Sequence, residues 1–302
     1  MIVYLRNQEI DRAQWDTCIG LSQASKPYAY SWYLDIMSPG WEALIDDDYD
    51  SVFPIPARSR MGIKYIATPI FLQQLGAFSP DKSSDQAIDE FLDYLPEFYK
   101  LIDLCVGQKI KRRNYAVTER ANFEIDLSGS YDYLWGNFTN TCRRNIEKSG
   151  KKSPVFVNDI KPGDLIDLFI KMKESEIKRV KLSDFQRLKN LMEYCIQNGT
   201  GKITGVRGTG KKIIFAQFII QTPSFINLFF GVNTPESRDR RINYYFVNEI
   251  IRQNSGKNIT LDFAGSSIPS VAVFMESFGA INNPYYRIFR NFLPWPVSML
   301  KK

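Results

Sequence analysis

The sequence predicts an α/β protein with mixed α+β sheets, divided into two tandem domains, residues 1–127 and 128–302. Three observations predict it. Short apolar runs with strand character alternate with runs whose apolar residues recur every three or four positions. The chain of 302 residues suits two domains of roughly 150 residues each. Charge also divides the halves. Residues 1–127 hold 13 Lys/Arg and 19 Asp/Glu, a net of −6, whereas residues 128–302 hold 26 and 14, a net of +12.

The elements follow in order. Ile2–Leu5 reads as a strand, and residues 11–19 and 31–37 as short helices. Val52–Ala57 and Ile63–Ile70 read as β segments around Arg60-Met61-Gly62, with Pro54 and Pro56 placing the first at an edge or bulge. Ile88, Phe91, Leu92, Leu95, Phe98, Tyr99 and Ile102 fall at helical spacing and predict a helix over 84–103, with Pro96 a conflict inside it. Tyr115–Val117 and Asn122–Leu127 are the next strands. The second half reads as a strand at 155–157, helices at 162–178 and 183–197, and strands at 202–207, 212–221 and 225–230. A charged loop at 233–241 leads to a helix at 242–254, a buried strand at 258–263, a helix at 268–278 and a strand at 285–290. The Pro-rich tail from Phe289 is expected to fold against the body, because its prolines prevent a continuous amphipathic helix.

Composition narrows the chemistry. Hydrophobic residues are 44% and charged residues 24%, values of a folded globular chain. The sequence has no histidine, which removes His-based triads and the commonest metal-ligand sets, so no metal is expected. Cys18, Cys105, Cys142 and Cys195 are scattered, and read as reduced, mostly buried thiols. No apolar run is long enough for a membrane span, and the first residues lack the pattern of a signal peptide, so a cytoplasmic location is expected. The basic second half suits an anionic ligand: the phosphates of a cofactor, a nucleotide-linked substrate or RNA. Uneven solvated surface charge fits it too.

Four segments carry candidate chemistry. Gly205 to Lys212 matches seven positions of a phosphate-binding P-loop, but the eighth is Lys212 and a strand follows, so it reads as a hairpin turn. Thr139–Lys152 holds five basic residues, with Arg144 and Lys148 four apart on one face of any helix. It reads as a grip on phosphate or carboxylate, or as a solvated helix. Ser237–Asn243 sets Arg238, Arg240 and Arg241 at a loop-to-helix junction, where free amides favour anions. Leu261–Pro269 ends a buried strand in Asp262, a candidate general base or a structural hydrogen-bonding carboxylate. Ser267 there is a candidate helix cap.

Together these segments resemble Fem-type aminoacyl and peptidyl transferases and their GNAT-fold (acyl-CoA N-acyltransferase superfamily) relatives. The matching residues are Phe123–Leu127 followed by Arg143-Arg-Asn-Ile-Glu-Lys148, Asn243–Ile251 with Glu249, and Leu261-Asp-Phe-Ala-Gly-Ser266 followed by Phe274 and Ser277–Ala280. Phe71-Leu-Gln-Gln-Leu-Gly76 is similar to a first-domain segment of bacterial members. The resemblance implies two tandem GNAT-like domains. It also implies transfer of an acyl or aminoacyl group to an amine, with acyl-CoA or aminoacyl-tRNA as donor. Arg241 and Asn243 stand where GNAT enzymes have small residues, and Met275 where the family has Lys.

The reading that follows is an N-acyltransferase that moves an acyl group from acyl-CoA to the amine of a small or nucleotide-linked cell-envelope precursor. Asp262 or Glu249 would accept the amine proton, and Tyr244 or Tyr245 would protonate the leaving group. Backbone amides near a splayed strand would hold the oxyanion. Arg238, Arg240, Arg241, Ile242 and Asn243 would bind the donor. Arg143, Arg144 and Lys148 would hold an anionic acceptor or donor, and with Gln73, Gln74 and Ser266 form the expected substrate-binding set. The alternatives are a Fem-type transferase that uses aminoacyl-tRNA, and a non-catalytic binding protein on the same scaffold.

Overall fold

The computed structural model describes residues 1–81, 84–174, 177, 180–265 and 268–300. They form two compact units, residues 1–120 with 284–302, and residues 121–283. The first unit opens with β1 (Ile2–Leu5), α1 (Arg12–Leu21), α2 (Ser31–Met37), β2 (Glu42–Asp46) and β3 (Ser51–Ile55). The three strands form an antiparallel sheet in the order β1-β2-β3. Helix α1 starts where the Asp11 carboxylate accepts from the amides of Ala13 and Gln14 at 2.9 and 3.1 Å. Trp15 and Trp41 meet edge to face at 4.6 Å in the core. Pro54 lies in the outer strand as expected, and at Pro56 the chain leaves this sheet for the next.

β4 (Ala57–Arg60), β5 (Ile63–Ala67), α3 (Ser84–Asp93), β6 (Leu101–Val106) and β7 (Ala116–Arg120) follow. The helix expected over 84–103 stops at Asp93. Pro96 lacks an amide and its ring would clash with the preceding turn, so turns at Tyr94 and Tyr99 intervene. Leu101 and Ile102, which fit the helical spacing, belong to β6.

The second unit runs β8 (Phe123–Asp126), α4 (Tyr131–Gly136), α5 (Asn140–Gly150), β9 (Phe156–Val157), α6 (Pro162–Lys173), α7 (Leu182–Gln197), β10 (Gly201–Arg207), β11 (Ile213–Thr222) and β12 (Phe225–Asn233). It continues with α8 (Pro235–Asp239), α9 (Ile242–Asn254), β13 (Thr260–Asp262), α10 (Pro269–Glu276) and β14 (Ile281–Asn282). Its seven strands are ordered β14-β8-β13-β12-β11-β10-β9, with only β12 and β13 parallel. The P-loop-like segment is the β10–β11 hairpin, with Gly210 at φ +68 in its turn. Four Phe side chains, Phe215, Phe246, Phe263 and Phe278, lie in one buried cluster between the sheet and helices α5 and α9.

The last strand, β15 (Tyr285–Asn291), joins the first unit, giving a sheet ordered β4-β5-β6-β15-β7. Arg287 clamps it there, its Nε and Nη2 donating to both oxygens of Asp103 at 2.6 and 2.9 Å. The units therefore differ from the expected 1–127 and 128–302. Strand 123–126 is an inner strand of the second unit's sheet, and strand 285–291 an inner strand of a first-unit sheet. The tail departs from expectation as well, since Trp295 is 80% exposed. Among the described residues no helix is long and apolar enough to cross a membrane.

Candidate active site at the start of α9

The second unit's parallel pair places its candidate site residues. β12 runs into α8 and α9, and α9 returns the chain to β13 beside β12. A parallel crossover puts the start of its helix at the C-terminal ends of both strands. β13 pairs with β12 only from Phe225↔Thr260 to Asn227↔Asp262, while β12 continues to Asn233 against β11. Among the described residues, Leu228–Asn233 thus has no strand on its β13 side. The open edge exists because the chain turns out of the sheet after Asp262. Asp262 is fully buried, and its Oδ1 accepts from the amide of Ala264 at 2.6 Å. Ala264 and Gly265 take left-handed φ of 61 and 67°. The Asp262 Oδ1 therefore anchors the turn at this strand end.

The start of α9 is unusual. Its cap residue, Arg241, has φ 58° and ψ 31°, the conformation glycine favours, and gives no side-chain cap. The amides of Tyr244 and Tyr245 donate to the Arg241 carbonyl at 3.1 and 3.4 Å. Those of Ile242 and Asn243 donate to no group among the described residues, so they remain available to an anion. Arg241 folds back, Nη1 donating to the Arg238 carbonyl at 3.0 Å, while its Nε is buried without a partner. Ser237 Oγ and Asn233 Oδ1, on the same connection, are likewise buried without partners. Thr234 caps α8 by accepting from the Ser237 amide at 3.3 Å, which the run Thr-Pro-Glu-Ser signals. Arg240 pairs with Glu236 at 3.4 Å, and Arg238 is exposed. Ile242 is fully buried, so only its backbone faces a ligand.

The tyrosines divide. Tyr244 lies edge-on to Phe274 at 4.9 Å and stacks on Phe278 at 5.8 Å. Burial pushes its phenol above the ordinary range and nearby Cys142 adds to this, while Asn145 on α5 and Arg241 oppose it. Tyr245 stacks on Phe156 at 6.1 Å and packs over Gly150, where a Cβ would come within 3.2 Å of its ring. Glu249 is tied to Arg252 at 2.6 Å. It lies seven residues beyond Ile242, about 10 Å along the helix axis, which separates it from the helix start.

The remaining candidates spread out. On α5, Arg143 Nη2 donates to the Gly136 carbonyl at 2.8 Å and its guanidinium lies 6.0 Å from the Trp135 ring centroid. Arg144 and Lys148 are exposed and have no partner among the described residues. Gln73 and Gln74 belong to the first unit, where Gln73 accepts from Tyr28 Oη at 2.8 Å and Gln74 is buried against Gly107. Ser266 and Ser267 lie outside the described residues. Met275 is buried in the core. Sequence reasoning missed the enclosure of Tyr244 by Phe274 and Phe278, and the orphaned groups of Asn233 and Ser237; apart from the cap signal at Thr234, nothing local marks them.

No protein-family model matches the chain, and no curated protein sequence matches it. Solved structures do. The crystal structure of FemX superposes with a TM-score of 0.63 at 12% identity, covering 97% of this chain and 98% of that one. The chain has the Fem-type fold. L-PGS from Bacillus licheniformis follows at TM-score 0.51 and 12% identity over 96% and 95% of the two chains. The C-terminal domain of a putative lysylphosphatidylglycerol synthetase from Agrobacterium fabrum matches at TM-score 0.51 and 8% identity over 88% and 87%. The resemblance stated from the sequence is thus upheld at the level of fold.

Proposed function

We propose that the protein is an N-acyltransferase of the Fem/GNAT type that takes its acyl group from acyl-CoA. The observation that carries this reading is the open edge of β12 beside the uncapped start of α9. Unpaired β12 amides face a thioester carbonyl and stabilise the oxyanion formed when the amine attacks. The amides of Ile242 and Asn243, with the guanidinium of Arg241, take the donor's phosphates. The Arg241 backbone keeps the left-handed shape of a glycine turn, and its orphaned Nε and that of Ser237 Oγ supply unmet polar capacity. Tyr244, kept protonated by burial, gives its proton to the departing thiolate. Asp262, at the C-terminal end of β13, takes the amine proton directly or through water.

Thiol release from acetyl-CoA across a panel of amines tests the proposal. Amine-dependent release that falls at least tenfold in Tyr244→Phe is expected. Saturable acetyl-CoA binding in neither the wild type nor any variant refutes it. The exposed, unpartnered Arg144 and Lys148 on α5 favour a second reading, in which aminoacyl-tRNA is the donor. That reading requires binding of charged tRNA that weakens steeply with salt and depends on both residues.

A further inference from the structure

A polar cavity lies wholly within the first unit, where the end of α3, the start of β6 and the end of β15 converge. Its volume is about 410 Å3, within the usual range of small-molecule sites. Among the described residues, two of its lining groups have unmet hydrogen-bonding capacity. The Arg290 side chain makes no hydrogen bond and no ion pair among the described residues, and its Nε is buried. Its guanidinium carbon lies 4.9 Å from the ring centroid of Tyr115 and 5.1 Å from that of Phe292. The rings attract the cation, yet neither accepts the in-plane N–H bonds that an oxygen accepts. Tyr115 is 6% exposed, lines the cavity, and its hydroxyl has no partner. Arg112, also on the lining, is already engaged: its guanidinium pairs with Asp93, its Nε lies 3.9 Å from Asp89 Oδ1, and its Nη2 donates to the Asp89 carbonyl at 3.1 Å.

Charge adds direction. Lys100 and Asn114 line the cavity, are exposed and have no side-chain partner among the described residues. Arg112 is taken up by Asp89 and Asp93, which leaves Arg290 and Lys100 against the single carboxylate of Glu97. Buried polar groups are ordinarily satisfied, so the two orphaned donors of Arg290 and Tyr115 on one concave surface call for an acceptor.

We propose that this cavity binds a small polar molecule through its oxyanion, held by the Arg290 guanidinium with Lys100, Asn114 and Tyr115 as further donors. The oxyanion is a phosphate or a carboxylate, both of which match the guanidinium fork. The site is independent of the donor site at α9.

Calorimetric titration with inorganic phosphate, and separately with malonate, at constant ionic strength tests it. Wild type and Arg241→Gly are titrated in parallel, so that uptake at α9 is separated from uptake in this cavity. Saturable binding that persists in Arg241→Gly is expected with at least one anion, phosphate binding alone pointing to a phosphorylated ligand and malonate binding alone to a carboxylate. Arg290→Met keeps the stem on the two rings but removes the charge, and lowers that affinity by about tenfold or more. Tyr115→Phe, a milder change, weakens it by about threefold. No saturable binding of either anion, or binding unaltered by both Arg290→Met and Tyr115→Phe, overturns the proposal.

Discussion

Gly205→Ala separates a structural glycine from a phosphate-binding one. Gly205 is buried in β10, paired with Ala216 on one side and Val157 on the other. A Cβ there would sit 2.2 Å from Ile160 Cδ1 and 2.5 Å from the Phe215 carbonyl oxygen. The isoleucine can rotate away, whereas the carbonyl belongs to the strand hydrogen-bonded to β10, so relief requires β10 and β11 to part. Overpacking of this kind costs about 2–3 kcal/mol. For a unit of this size each kcal/mol lowers the melting temperature by about 2–4 °C, so the second unit's transition should fall by about 5–10 °C in scanning calorimetry. Gly210→Ala, in the turn at φ +68 with open space around it, should cost only about 1 kcal/mol. If Gly205→Ala melts within a degree of wild type, the close approach of the strands is refuted. If it instead abolishes nucleotide binding without loss of stability, the hairpin reading of this segment falls.

Arg241→Gly should leave stability within about 1 kcal/mol of wild type, as relief of the left-handed backbone offsets the lost bond to Arg238, while acetyl-CoA affinity falls about tenfold or more; urea unfolding and calorimetry read the two effects separately. Tyr131→Phe removes the donor held by Asn248 Oδ1 at 2.9 Å and leaves that buried oxygen unmet, costing about 1–2 kcal/mol in urea unfolding. Burial pushes the Cys142 and Cys195 thiols up to about 12. A raised folded pKa gives stability that is complete below the unfolded value near 9 and is lost as pH climbs towards 12, so stability should fall steadily above pH 9. Cys142→Ala should flatten that fall, and native thiols should resist a disulfide reagent at pH 8.

How much of this was legible in the sequence depends on whether each feature is local. The span of α9 was, because its ends carry their own signals: an Arg-rich loop before Ile242, apolar residues at helical spacing, and Gly256 at φ +78 just beyond Asn254. Pro96 likewise marked where α3 could not continue, although helical spacing extended across it. The sheet to which 285–291 belongs was not legible. The residues say strand, but their partner Asp103 is 184 positions from Arg287, and no local pattern encodes that pairing. The candidate site mixes both kinds of feature. Arg241 stands out because a helix start beside arginines is a local motif. The open edge of β12 does not, because it follows from a comparison of lengths: three residues of β13 lie beside nine of β12. Asp262 links the two. Its sequence, Asp-Phe-Ala-Gly, allows both a base and a turn anchor. Only the buried Oδ1 bond to the Ala264 amide shows that this carboxylate also sets the left-handed turn that leaves the neighbouring strand uncovered. A substitution there removes the turn together with the proposed base, so Asp262→Asn, which keeps Oδ1 as an acceptor, is the variant that separates the two roles.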